Sequence, residues 1–269
     1  MRSTLAGEST GHGSAGGFLD KLGMTIWADT RPVLTRTSRH NASDTGPQLW
    51  RTRLNTNTHP HGSGRILQAG APLEDANKVI ILMHGRGASA ADIIRLGSSL
   101  VGEDGDGVTF LAPEATNNTW YPVSGFLPQE QLAPWLESAL TVIDDIIDTA
   151  VDSGVANEKI ILGGFSQGAM LSLEYASRGR RKIGGVIAFS GSIIGPVDQP
   201  YTVSGEVSGM PMFIGCGTND SWIPADAARN SAQVFVDAGA DVDLRIYEGM
   251  EHIINEDEIE GAAALVARV

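Results

Sequence analysis

The stretch "IILGGFSQGAMLS", residues 160–172, runs from β-branched apolar positions into a glycine-flanked serine and out into small and apolar residues. Ala169, Leu173 and Ala176 then recur at helical spacing, so the segment reads as a buried strand, a tight turn and a helix. Ser166 sits in the turn with Gly164 and Gly168 two residues to either side. In such a G-x-S-x-G turn the serine is held on a strained elbow, and its neighbours are small because other chain segments pass close by. A chain with 33 glycines meets this pattern by chance often enough that the pattern alone carries little. The strand before it and the helix after it carry more, and the plain alternative is a polar turn residue.

Working outward, apolar runs alternate with amphipathic segments from residue 65 onward, as in a parallel sheet with helices on both faces. "KVIILM" (78–83), "GVTFL" (107–111), "KIILG" (159–163), "GGVIAFS" (184–190), "MPMFIGC" (210–216) and "DLRIY" (243–247) read as strands, all but the last buried on both faces. Leu132, Leu136, Ala139, Ile143, Ile146 and Ala150 share one helical face, and Ala228, Ala232 and Phe235 another. Pro224 opens the second of these helices and Gly239 closes it. Asn255 with Glu258 reads as a capping box for a last helix.

A serine hydroxyl needs a base to take its proton, and in this layout the partners follow in the order serine, acid, histidine. Five histidines precede Ser166, leaving His252 in "EGMEHIINEDE" as the base, in the loop after the last strand. The acid must lie between them at the carboxyl end of a strand. Asp220 in "FIGCGTNDSWIP" meets this, with Asp198 in "IIGPVDQP" as the alternative. Asp226 and Asp237 fall on a helix surface, and Asp241 and Asp243 begin a strand at its wrong end. The oxyanion formed during acyl transfer needs two amide donors. Gln167 supplies one, and "HGRGAS" after the first apolar strand supplies the other through Arg86, with His84 orienting the loop. Arg86 itself could bind an anionic substrate group or pair with a carboxylate.

The glycine loop 85–90 also fits a nucleotide-binding turn, with Glu114 as a ribose ligand, which would make the protein a dinucleotide-dependent oxidoreductase. That reading lacks the third glycine and leaves Ser166, Asp220 and His252 without a role. A hydrolase fold kept only for binding is the other alternative.

The 269 residues suffice for one sizeable core, and residues 1–62, rich in Gly, Ser, Thr and Asn without periodicity, read as a disordered extension ahead of a domain at 63–269. His59 and His61 in "HPHG" read as linker residues before metal ligands. The formal net charge is −13, and the first 62 residues hold only 4 of the 32 acidic residues. So acidic a domain disfavours nucleic acid and anionic membrane surfaces as partners. With few lysines, its surface would also suit high salt. The absence of an 18-residue apolar run and of a secretory leader points to a soluble, cytoplasmic protein. The single cysteine, Cys216, allows neither an internal disulfide nor a thiolate metal cluster.

"LMHGRGASAADI", "LAPEATNNTWYP", "GGFSQGAMLSLEYA", "GTNDSWIP" and "YEGMEHIINEDEI" together resemble the small phospholipase/carboxylesterase family of α/β-hydrolases, relatives of the acyl-protein thioesterases. The resemblance covers residue 63 to the end. It implies an α/β-hydrolase fold without a large lid, with Ser166 as nucleophile, Asp220 as acid, His252 as base, and the Arg86 and Gln167 amides as oxyanion hole. It further implies hydrolysis of a small-molecule carboxylic ester or thioester through an acyl-enzyme, with no cofactor or metal; short to medium acyl esters are the expected substrates, with lysophospholipid or acyl thioester as alternatives. Arg86 stands where these relatives have an apolar residue, and Cys216 where they usually have histidine. Trp120, Tyr121, Phe126 and Trp222 fall in loops beside the triad and are expected to line an apolar acyl pocket. A homodimer is compatible with the sequence.

Overall fold

The six apolar runs form strands of one sheet in the structure, a computed structural model that describes residues 48–50, 60–62, 64–101 and 105–269. In chain order the elements are β1 (Gln48–Trp50), β2 (Ile66–Gly70), β3 (Lys78–Met83), α1 (Ala90–Gly97), β4 (Val108–Pro113), α2 (Gln129–Leu132), α3 (Trp135–Asp152), β5 (Ile160–Phe165), α4 (Gln167–Arg178), β6 (Gly185–Phe189), β7 (Pro211–Gly217), α5 (Ala225–Asp237), β8 (Asp241–Tyr247) and α6 (Glu256–Arg268). The sheet order is β1-β2-β4-β3-β5-β6-β7-β8. β2 runs antiparallel to both of its neighbours, β1 and β4, and all other neighbouring strands run parallel.

Parallel strands joined by helices are covered on both faces, which is why β3 to β7 read as unbroken apolar runs. Ile93 and Ile94 of α1 and Ala262 and Leu265 of α6 pack on one face. Leu136, Ile143 and Ile147 of α3, Leu171 and Tyr175 of α4 and Phe235 of α5 pack on the other. Asn255 and Glu258 close the anticipated capping box of α6. β8 is only partly covered, as an edge strand should be.

One strand was not anticipated and one expectation changes. β2 was not legible, because only Ile66 of its five residues is buried, so it offers no alternation to read. The domain also begins before residue 63. His61 is 1% exposed: its N–H donates to Ser138 Oγ (2.9 Å), and its ring bridges Trp120 O (2.9 Å) and the Thr116 amide (3.1 Å). Both ring nitrogens are thus engaged and burial lowers its pKa, so it acts as a neutral core residue. Gln48–Trp50 add an edge strand. His59 and the rest of the anticipated extension lie outside the described residues.

The chain moves from β3 to β4 on one side of β3 and to β5 on its other side, so adjacent loops leave β3 and β5 in opposite directions. This divergence opens a crevice at the carboxyl ends of the two strands, where α/β sheets bind ligands. His84 and Ser166 leave the sheet there.

Candidate active site

The elbow is built by close packing. Ser166 adopts φ 56° and ψ −117°, outside the regions an ordinary residue favours. It is held by its N–H donating to Phe189 O (3.0 Å) and its carbonyl accepting from the Met170 amide (2.9 Å). A Cβ on Gly168 would lie 2.0 Å from Met83 O, and one on Gly164 would lie 2.5 Å from the Gly168 carbonyl carbon. Both clashes are with backbone, so neither glycine admits a side chain. Gly168→Ala is expected to cost about 3 kcal/mol of stability, because it forces β3 and α4 apart. Thermal unfolding checks this, and a change under about 0.5 kcal/mol would contradict it. Ser166 makes no side-chain cap for α4, so the first amides of the helix remain directed at the crevice.

The loops after β7 and β8 bring Asp220 and His252 together. They are zipped to each other by Thr218 N–H to Tyr247 O (2.9 Å), Asn219 N–H to Met250 O (3.0 Å) and Gly249 N–H to Thr218 Oγ1 (2.8 Å). His252 Nδ1 lies 2.7 Å from Asp220 Oδ2. Asp220 Oδ1 accepts from the Trp222 amide (2.8 Å) and the Ile223 amide (2.9 Å), and the side chain is fully buried. Burial alone would raise the Asp220 pKa, but the hydrogen bonds from His252 and the two amides hold it below the ordinary range. The His252 ring packs 4.6 Å from the ring of Phe165, the residue before Ser166. Asp198, the alternative acid, has no hydrogen bond to His252 among the described residues.

Glu258 lies under this assembly, its Oε1 aimed at Gly215 of β7 without a hydrogen-bond partner. Burial, with the nearby Asp257 and Asp220 charges, pushes its pKa up to about 8 against the Asn255 amide bond that lowers it. Because the folded pKa exceeds the unfolded one of about 4.5, the folded state binds the extra proton between these values, and stability falls as pH rises through that window. Glu258→Gln keeps a cap acceptor and removes the titration. The variant should therefore gain on wild type by a few kcal/mol, on the order of 1.4 per pH unit, between pH about 5 and about 9. An equal difference in unfolding free energy at both ends would contradict it.

The loop after β3 rests against the elbow, where a Cβ on Gly85 would be 3.4 Å from Ser166 Cβ. Gly85–Ala88 is a turn closed by Ala88 N–H to Gly85 O (3.2 Å), with Gly87 at φ 78°. That is the position where a type II turn calls for glycine. The Arg86 N–H has no acceptor among the described residues and stays available. His84 orients this loop as anticipated. Its Nε2 accepts from the Ala115 amide (3.1 Å), which leaves Nδ1–H to donate to Gly85 O (2.8 Å). Burial lowers its pKa, keeping it neutral.

Side-chain contacts that sequence reading missed fix the facing wall. Gln167 pairs with the main chain of the next loop, donating from Nε2 to Tyr121 O (2.8 Å) and accepting at Oε1 from the Trp120 amide (3.1 Å) and Thr119 Oγ1 (3.2 Å). Glu174, 1% exposed, accepts from the Ile194 amide (3.2 Å), Gln129 (2.8 Å) and Arg178 (2.6 Å), which pins the long connection after β6. A buried carboxylate in an apolar helix was the only signal for it.

Two of the four aromatic assignments need correction. Trp120 and Tyr121 are fully buried; Trp120 Nε1 donates to His84 O (2.9 Å) and Tyr121 OH to Met170 Sδ (3.4 Å). They support the wall and present no surface to a ligand. Phe126 is half-buried and Trp222 is 66% exposed. A cavity of about 310 Å³ between α2, α4 and the post-β6 connection is lined by Gln129, Glu174, Arg178, Ile194 and Tyr201, and by none of Ser166, Asp220 or His252. The nucleotide reading meets a filled site: Glu114 accepts from the Ala90 amide (3.2 Å) at the start of α1 and Ser89 caps the same turn, so a pyrophosphate there would face a carboxylate.

A strained serine on a strand-to-helix elbow, beside a histidine bound to a buried carboxylate at two further strand ends, defines an α/β-hydrolase. The sequence profile of the phospholipase/carboxylesterase family matches residues 67–268, and the chain belongs to that family. A crystal structure of a phospholipase/carboxylesterase from Dyadobacter fermentans is 36% identical, covers 79% of this chain and all of that one, and superposes with a TM-score of 0.70. Esterase PE8 is 26% identical over 75% of this chain and 97% of its own, with a TM-score of 0.62. Acyl-protein thioesterase 1 of Saccharomyces cerevisiae is 27% identical over 75% of this chain and 97% of its own. The chain is a hydrolase of the esterase and thioesterase type. No helix among the described residues is long and apolar enough to cross a membrane.

Proposed function

We propose that Ser166 Oγ attacks the carbonyl carbon of a short to medium acyl ester or thioester while His252 Nε2 takes its proton. The oxyanion formed is received by the amides of Arg86 and Gln167, two donors that cost no reorganisation when the charge develops. Collapse of the tetrahedral adduct breaks the bond to the alcohol or thiol, which leaves with the proton from His252. Water then attacks the acyl-serine, giving its proton to His252, and the acid is released as Ser166 recovers its hydrogen. Asp220 holds Nδ1 protonated, so that Nε2 keeps its lone pair toward Ser166.

The observation that carries this reading is the 2.7 Å bond between His252 Nδ1 and Asp220 Oδ2, on a ring packed against Phe165. Ser166 Oγ has no hydrogen bond among the described residues, and its bond to His252 would form when substrate is bound. Phe126 and Trp222 retain surface for the acyl chain. Relatives include both an esterase and an acyl-protein thioesterase, which supports a site tolerant of either leaving atom. The cytoplasm expected from the single cysteine suits Cys216, buried and with its thiol pushed up to about 12 by burial, chiefly, and by nearby carboxylates. The reading is tested with p-nitrophenyl esters and matching thioesters from acetyl to dodecanoyl at fixed salt. Turnover peaking below the longest chains is expected; no turnover of any member would overturn it.

A further inference from the structure

Arg86 is exposed beside the elbow, yet its guanidinium does not wave freely. Nη1 donates to Pro122 O (3.0 Å) and Nη2 to Val123 O (2.6 Å), which fixes the fork between the loop after β3 and the loop after β4. Both acceptors are neutral carbonyls, so they orient the charge without cancelling it. No carboxylate lies within 4.0 Å of it among the described residues, in a chain of net charge −13. A guanidinium has five N–H donors and two are in use here, leaving three for a ligand. Its own backbone belongs to the turn that packs on Ser166, with Gly85 as the intervening residue. A rigid, uncompensated cation on the loop that packs against the reacting serine is suited to an oxyanion carried by the substrate, because a planar fork already held in place loses little freedom on binding.

We infer that Arg86 is a specificity residue that selects esters bearing a second, anionic group, a carboxylate or a phosphate. The inference rests on the hydrolase reading above. The bond cleaved and the residues that cleave it are unchanged; the anion is held by the guanidinium while the ester carbonyl sits at Ser166.

The test compares two matched pairs at one fixed ionic strength. p-Nitrophenyl hemiglutarate against p-nitrophenyl butyrate places a carboxylate on the acyl side. Butyryl glycerol phosphate against monobutyrin places a phosphate on the alcohol side, so the pairs separate the two sources of the anion. In at least one pair the ratio of kcat/KM, anionic over neutral, is expected to fall about tenfold or more in Arg86→Met and to be partly restored in Arg86→Lys. The ratio is read because any loss through the loop affects both members of a pair. Equal ratios in wild type and Arg86→Met would overturn the inference, leaving Arg86 a loop clamp. If Arg86→Met does not fold, wild type alone decides: a tenfold preference for the neutral member of both pairs overturns it, and a preference for an anionic member upholds it. Failure of wild type to turn over any of the four esters would remove the hydrolase reading and this inference with it.

Discussion

Replacing Ser166 by alanine is expected to lower kcat/KM for any cleaved ester by about 10⁵-fold, because the group that forms the acyl bond is gone while binding and the oxyanion amides remain. The fold should persist. The strained backbone at φ 56° is held by main-chain bonds to Phe189 and Met170, neither of which involves the hydroxyl. Alanine has the same Cβ, so the contact with the Gly85 loop is retained as well. Steady-state kinetics with a parallel thermal unfolding curve checks both halves. A loss under about tenfold would mean that Ser166 only shapes the turn.

Asp220→Asn is the second large effect, expected at about 10⁴-fold in kcat/KM. Its cause can be followed atom by atom. Oδ1 accepts from two amides, those of Trp222 and Ile223, so asparagine must place its oxygen there. Its NH₂ then faces His252 Nδ1 in place of Oδ2, and two donors cannot share one hydrogen bond. The imidazole responds by carrying its proton on Nε2, where it cannot accept one from Ser166. Packing is nearly unchanged, so the defect should lie in rate and not in stability. Asp198→Asn, which removes a carboxylate with no bond to His252, should stay within about twofold of wild type. A mild Asp220→Asn phenotype beside a severe Asp198→Asn one would reverse the assignment.

The sheet was legible because its central strands are buried on both faces and therefore read as continuous apolar runs between turn residues. The candidate triad was legible through order and position: only one histidine follows Ser166, and only a few acids lie at strand ends. Less could be read where a contact joins residues far apart in the chain. The aromatic character of Trp120 and Tyr121 suggested a pocket lining, yet their exposure depends on Gln167, 47 and 46 positions away, drawing their backbone onto the elbow. Arg86 likewise binds carbonyls 36 and 37 positions on, and main-chain carbonyls have no residue-type signature. His61 looked like linker because proline and polar residues surround it, and its burial is set by Ser138 and Trp120. Local pattern reveals elements and the residues at their ends; it does not reveal which side chains clamp one loop to another.

The claim that Ser166 is the reactive centre is tested most directly by treating the intact protein with a fluorophosphonate and mapping the adduct by mass spectrometry. The expected result is one adduct per chain, on the peptide containing Ser166, formed in step with loss of ester hydrolysis and absent in Ser166→Ala. An unlabelled protein that still hydrolyses esters, or an adduct on another residue that alone accounts for the loss of activity, would contradict it.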